Sequence, residues 1–146
     1  MSSLPYTSVS YGNPEGTILG VTDDEVKSII HTFYAKVRAD EMLGPVFESE
    51  MSEHWDEHLA KMVNFWTSVM FAVPLYKGNP LEVHRGVAGI APQHFERWLA
   101  LFEQTLQEVC PEQSHVEAFL RKAQTMGRAM TAALATYGPI TKDSLL

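Results

Sequence analysis

Apolar residues recur along most of this chain at intervals of three and four, and this helical period is the feature that most constrains its fold. Thr22 followed by Glu25 is typical of a helix start. The helix predicted there carries an apolar stripe from Val26 to Val37 and ends near Asp40. Strands would need alternating apolar and polar runs bounded by turn residues, and such runs do not occur. The sequence therefore predicts an all-α domain.

Capping residues and helix breakers divide the rest of the chain into further helical segments. The predicted segments are a short piece at 43–47, a helix from about Ser52 that Pro74 stops, a short segment at 81–87, a helix from Pro92 that Pro111 closes, and a helix over about 112–137. We therefore expect four substantial helices and two short ones, with no sheet.

The chain has 146 residues, which is the size of one ordinary domain. Residues at the N-terminus are rich in Ser, Pro and Gly, and the C-terminal residues have a similar character. We therefore expect a flexible N-terminal extension over 1–21, one folded domain over 22–138, and a flexible tail over 139–146.

Charge and apolar content exclude several classes of partner. The formal net charge of −7 argues against nucleic-acid binding, which needs a basic face for phosphate contacts. No apolar stretch is long enough to span a membrane, and no secretory signal is visible. The lone cysteine, Cys110, cannot form an internal disulfide, and a cytoplasmic location is the default expectation.

The segment from His54 to His58 matches the pattern H-x-x-E-H, in which two histidines four residues apart share one face of a helix. One class of zinc peptidases uses this pattern, with the glutamate as general base. Such a site also needs a third ligand, which the match does not supply. A zinc hydrolase that uses His54, Glu57 and His58 is therefore one hypothesis, and a solvated His54 in a helix's first turn is the ordinary interpretation.

Three polar side chains follow one another in the order that a haem pocket requires. Tyr34 lies on the first predicted helix, His58 on the next long helix, and His84 on a short segment after it. Distal donors followed by an iron-ligating imidazole are typical of an all-α haem protein. Each residue alone is more simply a core or surface side chain, and the sequence pattern does not rank His84 above His94 as the ligand. Without a Cys-x-x-Cys-His motif, haem would be held non-covalently.

Several motifs of this sequence resemble those of the group III truncated haemoglobins. They keep the family's order and spacing over about residues 22 to 137, and the glycine-pair motifs typical of groups I and II are absent. The motifs are FYAKVRAD at 33–40, LGPVF at 43–47, WDEH at 55–58, NFW at 64–66, GNPL at 78–81 with His84, and FERWLALF at 95–102. The resemblance implies a truncated globin fold, a two-over-two sandwich of helices around a haem.

The resemblance also implies roles for individual residues. It decides between the two candidate iron ligands in favour of His84, which would hold haem b. Tyr34, His58 and Trp98 would be the distal residues that stabilise a bound ligand. Lys61 lies one helical turn from His58 and is expected to reach a haem propionate. The residues expected to line or back the haem pocket are Phe33, Phe47, Lys61, Met62, Phe65, Trp66, His84 and Trp98.

The expected function follows from the resemblance and from the chemistry of the distal donors. Dioxygen that binds ferrous iron gains partial negative charge, and the Tyr34 hydroxyl and Trp98 indole N–H can donate to it. Such retention suits redox chemistry or sensing more than oxygen transport. We expect binding of O2, CO, NO and cyanide, with nitric oxide dioxygenase or peroxidase-like activity as the enzymatic form. No flavin or nicotinamide motif is present, so a reductase would be a separate protein.

Two alternatives remain beside a haem globin. The first is the zinc hydrolase, and the second is a helical scaffold without a cofactor, whose aromatic residues all belong to the core. Metal analysis and absorption spectra separate the three hypotheses. Stoichiometric zinc without haem affinity favours the hydrolase, and indifference to added haem favours the scaffold.

Overall fold

A computed structural model describes residues 14–51, 53–76, 78 and 90–137 of the chain. These residues form helices and contain no strand, as the helical period predicts. The helices are α1 (Glu15–Leu19), α2 (Asp23–Ala39), α3 (Leu43–Met51), α4 (Trp55–Phe71), α5 (Pro92–Val109) and α6 (Gln113–Tyr137). The predicted short segment at 81–87 and the predicted tail lie outside the described residues.

Helix α2 begins and ends where the sequence predicts, because its ends carry the right capping and charged residues. The Thr22 hydroxyl accepts the Glu25 backbone N–H at 3.1 Å. Acidic side chains in the first turn and basic ones in the last turn complement the helix dipole. The Glu25 carboxylate does not return to the backbone N–H of Thr22 to complete a reciprocal cap, because it pairs with His115.

Helix α4 begins later than the sequence predicts. The prediction placed its start at about Ser52, whereas the helix starts at Trp55, with His54 as the preceding cap residue. The cause is the length of α3, which continues to Met51 rather than ending near Phe47. Residues 52–54, which the sequence predicts as the first turn of α4, therefore lie between α3 and α4.

Two helix pairs form the body of the fold. Helices α2 and α4 pack against each other, α5 packs on α6, and α2 also contacts α5. Aromatic rings fill the space between the pairs: Trp66 stacks on Phe102 with 5.0 Å between ring centroids, and Phe33 meets Phe102 edge to face. Each such pair adds about 0.5–1.5 kcal/mol beyond its buried area, so these rings hold α2, α4 and α5 in fixed register.

A polar junction joins the corner between α2 and α3 to α5. The Asp40 carboxylate accepts the backbone N–H of Leu43 and the Nε–H of Arg97, the latter at 2.8 Å, and Arg97 Nη2 lies 2.7 Å from the same Asp40 oxygen as an ion pair. The Arg97 contact holds the pKa of Asp40 below its usual value. Because Arg97 precedes Trp98 in the chain, this junction also fixes where Trp98 sits relative to α2.

The short helix α1 lies inside the segment predicted to be a flexible extension. Gly16 is buried, and α1 contacts both α4 and α6. A Cβ atom at Gly16 would stand 2.8 Å from the backbone oxygen of Met70, so the two backbones approach closely. The packing of α1 does not match an N-terminal extension that is flexible up to residue 21. The predicted end of the folded domain at residue 138 stays a prediction. None of the helices described is long and apolar enough to cross a membrane.

Candidate functional site

A cavity of about 390 Å³ opens between α2, α4, α5 and α6. Its size is that of a small-molecule or cofactor site, and its wall is largely aromatic and aliphatic. The predicted site residues that line it are Tyr34, Phe47, His58, Lys61, Met62, Phe65, Trp66 and Trp98. Phe33 stands behind this wall, fully buried between the rings of Tyr34 and Trp98. His84 lies outside the described residues.

The three predicted distal residues come from three different helices and meet at this cavity. Tyr34 is on α2, His58 on α4 and Trp98 on α5. The rings of Tyr34 and His58 are perpendicular, with 4.9 Å between their centroids. The Nε2 atom of His58 is buried, so the imidazole is turned inward rather than towards solvent. Two N–H or O–H donors and one titratable ring therefore face one space.

Tyr34 is held as a protonated phenol. Burial raises the pKa of its hydroxyl well above the ordinary value, and the hydrogen-bonding contact from Trp98 opposes this rise only in part. An indole N–H can only donate, so its contact favours the phenolate without supplying a proton acceptor. The hydroxyl therefore keeps its hydrogen over the physiological pH range and can donate it to a ligand in the cavity.

His94 also lines the cavity, and its backbone contact determines which ring nitrogen carries the proton. Its Nδ1 atom accepts the backbone N–H of Ala91 at 2.9 Å. Because an amide N–H is always a donor, Nδ1 is the acceptor, and the neutral ring carries its proton on Nε2. A histidine that binds iron through Nε2 instead donates from Nδ1. In this arrangement neither nitrogen of His94 presents a lone pair to a metal in the cavity.

The H-x-x-E-H segment lies at the rim of the cavity and does not form a metal site there. The side chains of His54 and Glu57 are largely exposed, with 3.8 Å between Nδ1 and Oε2. Within the residues that the structure describes, no group of three or more His, Cys, Asp or Glu side chains stands close enough to hold a metal ion. His58 faces inward instead, towards Tyr34. The zinc-hydrolase hypothesis therefore gains no support.

Other lining residues were not predicted from the sequence. Met126 and Met130 belong to the apolar stripe of α6, which indicates burial but does not separate core from cavity. Tyr76 reaches the wall because the Ser68 hydroxyl accepts the backbone N–H groups of Leu75 and Tyr76, which turns the chain back after α4. No local pattern in the sequence indicates that turn.

Comparison with known proteins identifies the family. The family model for bacterial-like globins matches residues 18–132. The chain belongs to the bacterial-like globin family. This globin is 33% identical over 121 residues to the group 3 truncated hemoglobin Ctb of Campylobacter jejuni, and the match covers 81% of this chain and 94% of that protein. The crystal structure of the group III truncated hemoglobin from Campylobacter jejuni matches with a TM-score of 0.74 at 32% identity, covering 82% of this globin and 96% of that chain.

These matches confirm the resemblance to group III truncated haemoglobins and the truncated globin fold, with its two pairs of packed helices. Membership of this family, which binds diatomic gases, supports haem binding by this globin. It therefore argues against the hypothesis of a helical scaffold without a cofactor. The cavity fits such a group. Its wall offers aromatic and thioether surface for a flat macrocycle, and its polar groups include the donors Tyr34, Lys61 and Trp98, with one carboxylate, Glu57, at the rim.

Proposed function

We propose that this globin binds haem b through His84 and retains small ligands, namely O2, CO, NO and cyanide, by donors from Tyr34 and Trp98. The proposed task is redox chemistry on oxygen, nitric oxide or peroxide rather than oxygen transport. The observation that carries the proposal is the meeting of Tyr34, His58 and Trp98 at one apolar cavity. When bound, haem supplies a redox-active iron that coordinates one imidazole and a diatomic ligand.

The wall of the cavity would hold the macrocycle mainly by apolar contact. Phe47, Met62 and Phe65 offer rings and a thioether, and Trp66 closes the floor by stacking on Phe102. Lys61 is exposed at the rim of the cavity, where its ammonium group could pair with a haem propionate that reaches the surface. No covalent attachment is involved, because the chain lacks the cysteine pair that this would need.

Two lines of argument favour His84 over His94 as the proximal ligand. The resemblance to the family assigns the ligand to His84, which follows the GNPL motif. The contact of His94 Nδ1 with Ala91 N–H leaves that ring without a lone pair directed at the cavity. His94 instead has an Nε2–H that can donate. We therefore assign iron ligation to His84 and no metal to His94.

The distal donors determine how long a ligand stays. A ligand with partial negative charge accepts hydrogen bonds from the Tyr34 hydroxyl and the Trp98 indole, and each such bond contributes about 1.5–3 kcal/mol. Burial keeps Tyr34 protonated and an indole N–H does not titrate, so both groups retain the hydrogen that they would donate; the Trp98 N–H, which contacts the Tyr34 hydroxyl in this structure, would be shared with a bound ligand. The His58 imidazole is in edge contact with Tyr34 and can hold or deliver a proton. Slow release is therefore expected.

The reaction that we propose is nitric oxide dioxygenation or a peroxidase-like oxidation. Both consume a retained ligand and need electrons from outside the chain, since no flavin or nicotinamide motif is present. A separate reductase is therefore part of the proposal, as is a cytoplasmic location. Nitric oxide consumption by the reduced protein, with a reductase supplied, measures this directly.

The test of haem ligation compares two histidine substitutions. The protein is purified, supplied with haem and examined by absorption spectroscopy. His84→Ala should abolish or greatly weaken the Soret band of stable haem binding, whereas His94→Ala should leave it in place. Equal loss in both variants contradicts the choice of ligand. Stoichiometric zinc with no Soret band contradicts the proposed function as a whole.

A further inference from the structure

Trp55, the first residue of α4, is a buried ring that polar groups of other helices hold in place. Its indole N–H donates to Glu48 Oε2 at 2.9 Å. The guanidinium of Arg38 lies over the ring, 4.7 Å from the centroid, and Arg38 Nε is 4.0 Å from the same Glu48 oxygen. A hydrogen bond, a cation–π contact and an ion pair thus determine both the plane and the position of the indole.

The Trp55 ring also lies against two of the predicted distal residues. The rings of Trp55 and His58 are nearly perpendicular, with 5.9 Å between centroids, and Trp55 also lies 6.2 Å from the ring of Tyr34. Since Tyr34 and His58 are themselves in edge contact at 4.9 Å, the three rings form a closed triangle. Trp55 is 4% exposed, so the indole fills the space behind the imidazole.

We propose that Trp55 is a positioning residue that holds the His58 imidazole inside the cavity. Rotation of His58 towards solvent would break its contacts with Trp55 and Tyr34 together, and Trp55 does not follow because Glu48 and Arg38 anchor it. The fraction of molecules in which the His58 imidazole points into the cavity therefore depends on the Trp55 indole, which does not itself contact the ligand. This inference rests on the proposed function, because it gives His58 a place beside a ligand bound at haem.

The consequence is a control on ligand access. An inward imidazole occupies space that an incoming ligand must cross, so loosening it increases the rate of association. One aromatic edge contact corresponds to about a two- to tenfold change in an equilibrium between two side-chain positions. Trp55→Leu, which removes the ring, should therefore raise the association rate of CO by about two- to tenfold.

A double-substitution experiment tests whether Trp55 acts through His58. CO rebinding after flash photolysis is measured on the haem-loaded, reduced protein for the parent chain, Trp55→Leu, His58→Leu and the combination. We expect Trp55→Leu to accelerate rebinding in the parent chain and to have no effect in the His58→Leu background. Equal acceleration in both backgrounds overturns the inference. Absence of a Soret band in the parent chain overturns the proposed function and this inference together.

A milder pair of variants gives a second readout if Trp55→Leu does not fold. Glu48→Leu leaves the indole N–H without its acceptor, whereas Glu48→Gln keeps an amide oxygen there and serves as the matched control. NMR spectra of the CO complex report the ring-proton shifts of His58, which depend on the rings of Trp55 and Tyr34. We expect Glu48→Leu to move these shifts and to accelerate rebinding, and Glu48→Gln to change neither. Unchanged shifts in Glu48→Leu overturn the inference.

Discussion

Trp98 stacks on Phe102 with 5.3 Å between the ring centroids and 11° between the ring planes. Because Phe102 is fully buried and also touches Trp66 and Phe33, it gives Trp98 a rigid support. The indole therefore cannot turn away from the cavity without losing a stacked contact. Under the proposed function, this stack would hold the Trp98 indole in place at the cavity for a ligand, beside the Tyr34 hydroxyl that its N–H contacts.

Tyr34→Phe should increase the rate of O2 release. The substitution removes the hydroxyl but keeps the ring that contacts Phe33 and His58, so the fold is retained. Loss of one hydrogen bond to a ligand with negative charge corresponds to roughly a ten- to hundredfold faster release. Stopped-flow measurement of O2 dissociation from the reduced, haem-loaded variant checks this. An unchanged or slower rate shows that Tyr34 does not donate to the ligand.

Trp98→Phe should act in the same direction through the second donor. A phenyl ring keeps an aromatic contact with Phe102 and removes the indole N–H together with the rest of the five-membered ring. We expect O2 release to rise by about tenfold, with a modest fall in the urea midpoint of unfolding from the lost ring atoms. Trp66→Phe is the matched control, because Trp66 also stacks on Phe102 but is assigned no donor role. Similar acceleration in both variants would assign the effect to packing rather than to hydrogen bonding.

Much of the fold is readable from local sequence signals. Thr22 predicts the start of α2 and Pro92 predicts the start of α5. The structure confirms both starts, because capping residues act within one helical turn. The sequence predicts the start of α4 three residues early, because Ser52 followed by an acidic residue resembles a cap, whereas α3 continues to Met51. Helix α1 has no comparable local signal, and its contacts with α4 and α6 come from distant parts of the chain.

Predictability of the site follows the same division. The order of polar side chains points to Tyr34 and His58, the resemblance to group III truncated haemoglobins implies Trp98 as well, and all three line one cavity. The anchoring of Trp55 by Glu48 and Arg38 was not predicted, since it depends on how α2, α3 and α4 pack. Contacts between residues distant in the chain have no local signature, so side-chain contacts across helices cannot be predicted from short segments of sequence.

The stability of the fold should fall as pH rises above about 6.5, because of His115. Burial lowers the pKa of His115, but hydrogen bonds to Glu25 and to the Leu19 carbonyl, with the charges of Glu25 and Glu112, outweigh it and raise the pKa above 6.5. A raised pKa means that the folded state binds the proton more tightly. The stabilisation is therefore complete below the unfolded pKa and is lost as pH passes the folded pKa.

Urea unfolding at several pH values measures this dependence. Below about pH 6.5, His115→Gln should lower the free energy of unfolding by about 1–3 kcal/mol, because Glu25 loses a charged partner at 2.8 Å. The variant should also show a smaller decline in the free energy of unfolding as pH rises. His31→Gln, at an exposed position on α2, is the control and should leave the pH profile unchanged. A decline of the same slope in His115→Gln would assign the pH dependence to another group. Cys110 does not contribute below about pH 8.5, where a thiol of the unfolded chain is still protonated; burial and the nearby Glu25 raise the pKa of its thiol to about 12, so its own contribution is lost only at higher pH.

Gly16→Ala should destabilise the protein by about 1–3 kcal/mol through α1, because over-packing against a fixed neighbour is costly. The new Cβ would lie 2.8 Å from the backbone oxygen of Met70, which cannot move aside as a flexible side chain can. Alanine normally stabilises a helix relative to glycine, so a loss of stability isolates the steric contact.

Thr17→Ala, at the exposed neighbouring position, is the control and should change stability by less than about 0.5 kcal/mol. Urea unfolding gives both values, and amide hydrogen exchange in α1 should accelerate only in Gly16→Ala. If the two substitutions are equally mild, residues 14–21 belong to a flexible extension, because only a segment that is not packed on α4 can accept the extra methyl group without strain.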